Sequence, residues 1–263
     1  MKHIFIIVLL FISLRLNAGD DDDFCGVKNT AFQSGENAIY HIYYTLAGVY
    51  VMGGEASFNV TIEQLGGRPV YHVIGQGKTN SFFDGFFKVR DRYESYIDTA
   101  SLQPLKFIRK IEEGKFKKSE TVKFNKDANT ATSANGTYKV SNCVQDVMST
   151  VYYARNINFN KYKVNDKIPF DLFVDDETYH LYIRYLGKEK VRTKFGKFNA
   201  IKFKPLLVKG SSFSGGEQMT VWITDDANHL PIRIESGISV GSIKVDMMNY
   251  RGLRHTMSAF IDF

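Results

Sequence analysis

Proline is scarce in this 263-residue chain (five), cysteine scarcer (two), and tryptophan occurs once. Two cysteines are too few for a disulfide-dense scaffold or a four-cysteine zinc site, and five prolines exclude a proline-rich, low-complexity chain. Long hydrophobic runs are missing after residue 14. No later segment approaches the ~20 apolar residues that a membrane-spanning helix needs. The six histidines (His3, His41, His72, His180, His229, His255) include no i, i+4 pair and none flanked by cysteine, so neither a metal nor any other cofactor is implied. Regular alternation of strand and helix is missing too, which excludes a parallel, doubly wound sheet.

What is present begins with a leader. Met1-Lys2-His3, the apolar run Ile4 to Leu14 and the small-residue site Leu16-Asn17-Ala18 predict a signal peptide over 1–18. Cys25 lies beyond Asp20-Asp21-Asp22-Asp23, too far from the apolar run for a lipoprotein cysteine. Loss of Lys2 and Arg15 with the leader lowers the formal net charge from +6 to +4. The chain is therefore expected in the periplasm, or associated with the outer membrane, of a Gram-negative bacterium. It would be no integral membrane protein after cleavage, and export excludes a nucleic-acid partner. In an oxidising compartment Cys25 and Cys143 are expected to form a disulfide.

One stretch, 142–156, has the helical recurrence of apolar residues: Val144, Val147, Met148, Val151, Tyr152 and Arg155 share a face. Asn142 is expected to cap it, with Gln145 three residues on. Elsewhere period-two alternation dominates, as in Ala38, Tyr40, Ile42 and Tyr44, with turns at Gly53-Gly54, Gly66-Gly67, Gly187 and Gly215-Gly216. Tyr93–Asp98 with Pro104–Arg109, and Met219–Thr224 with Pro231–Glu235, are two hairpins of one plan, each second strand opened by proline. The fold class is mainly β: a large curved antiparallel sheet or open barrel, a meander wrapped around a single central α-helix. The organisation expected is an acidic tail over 19–34, one β domain over 35–253 with similar halves flanking the helix, and a C-terminal tail over 254–263.

Candidate chemistry is sparse. Gly237-Ile238-Ser239-Val240-Gly241 has nucleophile-elbow spacing, but the following residues alternate as a strand and not as the required helix. Gly77-Lys78-Thr79 lacks the first glycine of a phosphate loop, since His72 occupies that position. Asp175-Asp176 and Asp225-Asp226 suit turns. Asp84, Asp91, Glu94 and Asp98 could supply a carboxylate pair for an envelope polysaccharide hydrolase, yet Lys88, Arg90 and Arg92 are interleaved for local ion pairing. Eight basic residues crowd one hairpin (Lys106, Arg109, Lys110, Lys115, Lys117, Lys118, Lys123, Lys126), either as a solvated edge or as a surface for anionic lipid or polysaccharide. Phe82, Phe83, Phe86, Phe87, Tyr152 and Trp222 are the candidate ligand-binding residues, expected to line a greasy cavity beside the helix. A terminal alternation (Met257, Ala259, Ile261, Phe263) hints at an outer-membrane barrel, against which the internal helix speaks.

Three blocks carry a family resemblance: Phe82 to Tyr93 with Leu102 to Phe107, Cys143 to Val147 with Tyr152 to Arg155, and Thr220 to Gly241. Together they resemble the exported bacterial family of unknown function DUF3108, over roughly Cys25 to Leu253. The resemblance implies a β-rich exported protein and brings no catalytic residues. A more distant similarity is to periplasmic lipoprotein carriers, whose unclosed sheet wraps a helix and holds acyl chains; it implies a lipid or other envelope component as partner. The expected function is non-enzymatic binding or scaffolding of such a component.

Overall fold

A computed structural model describes residues 25–46, 49–209, 215–238 and 241–262. The expected leader and the Asp20–Asp23 run lie outside them, as does Ser239. Period-two alternation becomes fifteen strands: β1 (Asn37–Leu46), β2 (Val49–Leu65), β3 (Arg68–Thr79), β4 (Arg90–Asp98), β5 (Pro104–Glu113), β6 (Phe116–Asn125), β7 (Thr130–Thr132), β8 (Thr137–Lys139), β9 (Lys167–Val174), β10 (Glu177–Arg192), β11 (Lys197–Pro205), β12 (Met219–Thr224), β13 (Pro231–Gly237), β14 (Ser242–Arg251) and β15 (Phe260–Asp262). They form one antiparallel sheet in the order β8-β7-β6-β5-β4-β3-β2-β1-β14-β13-β12-β11-β10-β9, with β15 added beside β11. Short connections give neighbouring antiparallel strands. The exceptions are β1, which has β2 on one side and β14 on the other, and β15, which pairs with β11.

The sheet is not closed by backbone pairing: β8 and β9 are its two edges. Side chains bring these edges together. Phe173 of β9 packs on Tyr138 of β8 (5.7 Å) and on Phe124 of β6 (6.0 Å). Asp175, in the β9–β10 turn, pairs with Arg109 and Lys118, and Asn135 donates to Asp176 at 2.6 Å.

Two α-helices among the described residues interrupt the strands, α1 (Ser81–Asp84) and α2 (Val147–Ala154). The second is shorter than expected. Asp146, not Asn142, is its cap: Oδ1 accepts from Met148 N (2.8 Å) and Ser149 N (2.7 Å), and Ser149 Oγ accepts from Asp146 N (2.8 Å). Residues before it are drawn into extended pairing with β9, Gln145 N donating to Asp171 O (2.8 Å) and Phe173 N to Gln145 O (2.9 Å). Met148, Tyr152, Tyr153 and Ala154 are buried, whereas Val151 is 36% exposed. Those four join one apolar cluster with Val73, Ile97 and Phe107 from one half of the sheet and Ile168, Phe173 and Ile201 from the other. Gly75 on β3 permits the approach, since a Cβ there would come within 3.0 Å of Met148 Cε.

Each end of α2 is gripped by one proline-led hairpin. Ser95 of β4 donates to Asp146 Oδ2 at 2.6 Å. At the other end Arg155 Nε donates to the carbonyl of Asn228 (3.0 Å), and His229 Nδ1 donates to the carbonyl of Arg155 (2.7 Å), both in the β12–β13 loop. The hairpins match in detail. A register shift precedes Ile97, which pairs with Pro104, and another precedes Ile223, which pairs with Pro231. Two residues before each proline, Leu102 (φ 56°) and His229 (φ 43°) take a left-handed backbone.

The described residues of the expected tails pack onto the rest of the fold. Cys25 and Cys143 form a disulfide with Cα atoms 5.4 Å apart. Ala31 and Phe32 are buried, and Phe32 meets the Tyr152 ring edge-on at 4.8 Å. Glu36 binds Arg155 through both oxygens (2.5 and 2.9 Å) in a fully buried ion pair. At the C-terminus Ala259 is buried and β15 pairs with β11. Gly53-Gly54 and Gly187 are also no turns: β2 runs through the first pair, and β10 continues through Gly187 with φ 96° at a bulge, which glycine adopts without Cβ strain.

Candidate functional site

The Phe-Phe doublets around Asp84-Gly85 form a helical turn, which explains their misfit with strand alternation. Asn80 caps it, its Oδ1 accepting from Phe83 N at 3.0 Å. Phe86 N and Phe87 N both donate to Phe83 O (2.9 and 2.8 Å). Residues four apart share a helix side, so Phe82 pairs with Phe86 (rings 5.4 Å apart) and both point to solvent, 65% and 77% exposed. Phe83, on the other side, packs near Tyr44 (6.4 Å) and Gly53. Phe87 is half exposed and lies against Gly114, whose φ of 58° and missing Cβ let the ring approach.

Backbone and polar bonds staple this turn between two hairpin tips. Asn80 N donates to Gly53 O (2.9 Å) and Asn80 Nδ2 to Met52 O (2.6 Å), fixing it to the β1–β2 hairpin. Gly114 N donates to Lys88 O (2.8 Å), fixing it to the β5–β6 hairpin. Asp84 accepts from Arg90 (2.5 Å) and Thr79 (2.5 Å), and these bonds hold its carboxyl below the usual carboxylate range. One end of the sheet therefore gathers exposed apolar side chains. Among the described residues, seven of the eleven exposed large hydrophobics belong to these tips: Val49, Tyr50, Val51, Phe82, Phe86, Phe87 and Phe116.

Beside this rim, on the face turned away from α2, lies a groove of about 380 Å³ whose walls include Glu55, Lys78, Arg90, Arg92 and Lys110. Arg92 of β4 is directly opposite Lys110 of β5. Like charges so placed cost stability unless an acid or a bound anion lies between them. Glu94 takes one side of Arg92 at 2.7 Å. No carboxylate among the described residues is within ion-pair distance of Lys110 or Lys115.

The six predicted ligand-binding residues are not brought together. The four phenylalanines are on the rim. Tyr152 is on α2 itself, its ring in the core 5.2 Å beneath the Arg155 guanidinium. Trp222 belongs to a second apolar cluster with Tyr40, Phe198 and Met247, its Nε1 donating to Glu189 at 2.6 Å. Its neighbours on β12, Val221 and Ile223, join the cluster around α2.

The carboxylates of 84–98 go to separate partners. Asp91 accepts from Glu112 N (3.1 Å), and burial pushes its carboxyl up to about 6. Glu94 is shared by Arg92 and His72, which is clamped between Glu94 (2.9 Å) and Glu63 (2.7 Å) and stacked on Tyr96. Asp98 accepts from the turn amides of Ala100 and Ser101 (2.8 and 3.0 Å). The elbow-like glycines join β13 to β14 as a hairpin, with Gly237 opposite Ser242. No three His, Cys, Asp or Glu residues among those described are placed to hold a metal. None of the described helices is long and apolar enough to cross a membrane.

No curated protein matches the sequence. Among solved structures, a β-barrel-like protein of the domain of unknown function DUF1849 from Brucella abortus superposes with a TM-score of 0.56 at 9% identity, over 86% of this chain and 98% of its own. That likeness concerns the fold alone. A protein provisionally labelled a lipoprotein, from Parabacteroides distasonis ATCC 8503, gives a TM-score of 0.36 at 10% identity, over 85% of this chain and all of its own (100%). A family model for proteins of unknown function covers residues 39–248, taking in the α1 turn, both proline-led hairpins and α2, so the chain belongs to the DUF3108 family.

Proposed function

We propose that this is a non-catalytic cell-envelope protein that binds an apolar or lipid envelope component at the rim around α1. The observation that carries this reading is the concentration of exposed Tyr50, Phe82, Phe86, Phe87 and Phe116 at one end of a sheet. Contiguous exposed apolar surface of this kind marks interaction sites. The separate partners of Asp84, Asp91, Glu94 and Asp98 speak against a shared hydrolytic water. The Cys25–Cys143 disulfide supports an oxidising compartment. With the leader-like first 18 residues, it favours the periplasm or outer membrane of a Gram-negative bacterium. We read the sheet as curling around α2, which supports the tips rigidly; the cluster shared by both halves and the helix favours this.

Binding to zwitterionic lysophospholipid micelles, followed by NMR shifts, tests the reading. Phe82→Ser/Phe86→Ser should keep its thermal stability, because both rings are exposed, and should bind at least tenfold more weakly. Unchanged binding, or hydrolysis of envelope glycans abolished by Asp91→Asn, would overturn it.

A further inference from the structure

We infer that the rim docks on an anionic phospholipid leaflet, with the basic residues beside it meeting the headgroup phosphates. This rests on the apolar-binding reading above and names the partner that the charges select. The aromatic tips and the cations are one surface: Arg90 lines the basic groove and also bonds Asp84 inside the α1 turn. Lys115 and Phe116 follow Gly114 at the β5–β6 tip, and Lys88 leads from Phe87 into β4. Tyr50, on the neighbouring tip, has Lys244 5.0 Å from its ring centre.

The acids nearby take part of this charge: Asp84 holds Arg90, Glu94 holds Arg92, and Glu235 reaches Lys244 at 3.3 Å. Glu112 is divided between Lys88 and Lys117, and Glu55 reaches Lys78 at 3.7 Å. Lys110 and Lys115 remain without such a partner, and Lys110 faces Arg92 across the ladder. A phosphate in the groove would relieve that opposition. Depth is compatible as well. Lys110 is three residues behind the end of β5, roughly 10 Å at the ordinary strand rise. With the phenylalanines entering the acyl boundary, the groove then falls near headgroup level. A pair of signals, apolar insertion plus basic residues, is what stable peripheral attachment requires.

Flotation of the chain, purified as its host makes it, with two vesicle compositions provides the test. Vesicles of phosphatidylethanolamine with phosphatidylglycerol should bind it; vesicles of phosphatidylcholine alone should bind far less, and added salt should weaken the first. Lys110→Gln/Lys115→Gln should lose about fivefold for each lysine neutralised, the equivalent of ~1 kcal/mol near an anionic surface. Phe82→Ser/Phe86→Ser should lose at least tenfold on the same vesicles, with its circular dichroism unchanged. If that variant misfolds, Phe86→Ser alone decides the point. Equal binding to both vesicle types, unaffected by the lysine changes, would overturn the anionic partner and leave the apolar-binding reading standing. Failure of the native protein to bind the micelles would sink both. Binding to a soluble anionic polysaccharide that needs the lysines but not the phenylalanines would also overturn the inference.

Discussion

The two ends of α2 are held by hairpins of the same plan but by opposite chemistry. At the amino end Asp146 is buried and its carboxyl meets neutral donors, namely the Ser95 hydroxyl and the backbone amides of Met148 and Ser149. Its negative charge suits the helix dipole, yet burial pushes the carboxyl up to about 6. At the carboxyl end burial opposes the Arg155 charge, but Glu36 outweighs it and holds the guanidinium pKa above its ordinary value. The amino-terminal segment runs between these ends, clipped covalently at Cys25–Cys143 and ionically at Glu36–Arg155. The difference shows that one end is anchored by a cross-link and a titratable cap, the other by a buried pair that fails if either member is lost.

Breaking the covalent clip should cost most. Closing a loop with a sequence separation of 118 residues is worth about 5 kcal/mol in the chain-entropy account, so Cys25→Ser/Cys143→Ser should lose close to that in urea unfolding. Next comes the ionic clip. Glu36→Gln strands a buried guanidinium and should cost about 4 kcal/mol, whereas Glu36→Leu/Arg155→Met should cost much less than either single change. A double-mutant cycle in urea checks this.

The smallest effect is the pH dependence of the cap. Because the folded-state pKa of Asp146 lies above its unfolded value of 3.8, the folded protein binds this proton more tightly. Stability from this group is therefore gained as pH falls from about 6 to about 4, and lost as it rises back through about 6. Relative to Asp146→Asn, the native protein should gain about 3 kcal/mol across that window. Asp91, also lifted to about 6, is common to both proteins and drops out of the difference. A flat difference from pH 7 to 4 would remove the contrast between the two ends.

Much of this frame was legible in the residues alone. Alternation identified most strands, the proline-led hairpins stood out, and two cysteines in an expected export product implied the bridge. Position 155 on the buried helical face is a usable signal, because a buried arginine needs a carboxylate, which Glu36 supplies. Other features depended on distant partners. Asn142 and Asp146 are both good caps; β9 pairing before the helix, and Ser95 from a remote strand, decide between them. Trp222 and Tyr152 looked like companions because composition does not say which face of a twisted sheet each residue takes. The phenylalanine doublets interrupt strand alternation in the sequence, but their exposure depends on the two hairpin tips that hold the turn away from the core.

One consequence follows from the place of β1. Asn37 faces Asn59 on one side and Arg251 on the other. During synthesis the second ladder cannot start until β14 has been delivered, so β1 waits with an open side. Assembly is thus slow by topology, and the interval before β14 arrives is when this chain is most exposed to sticking to another.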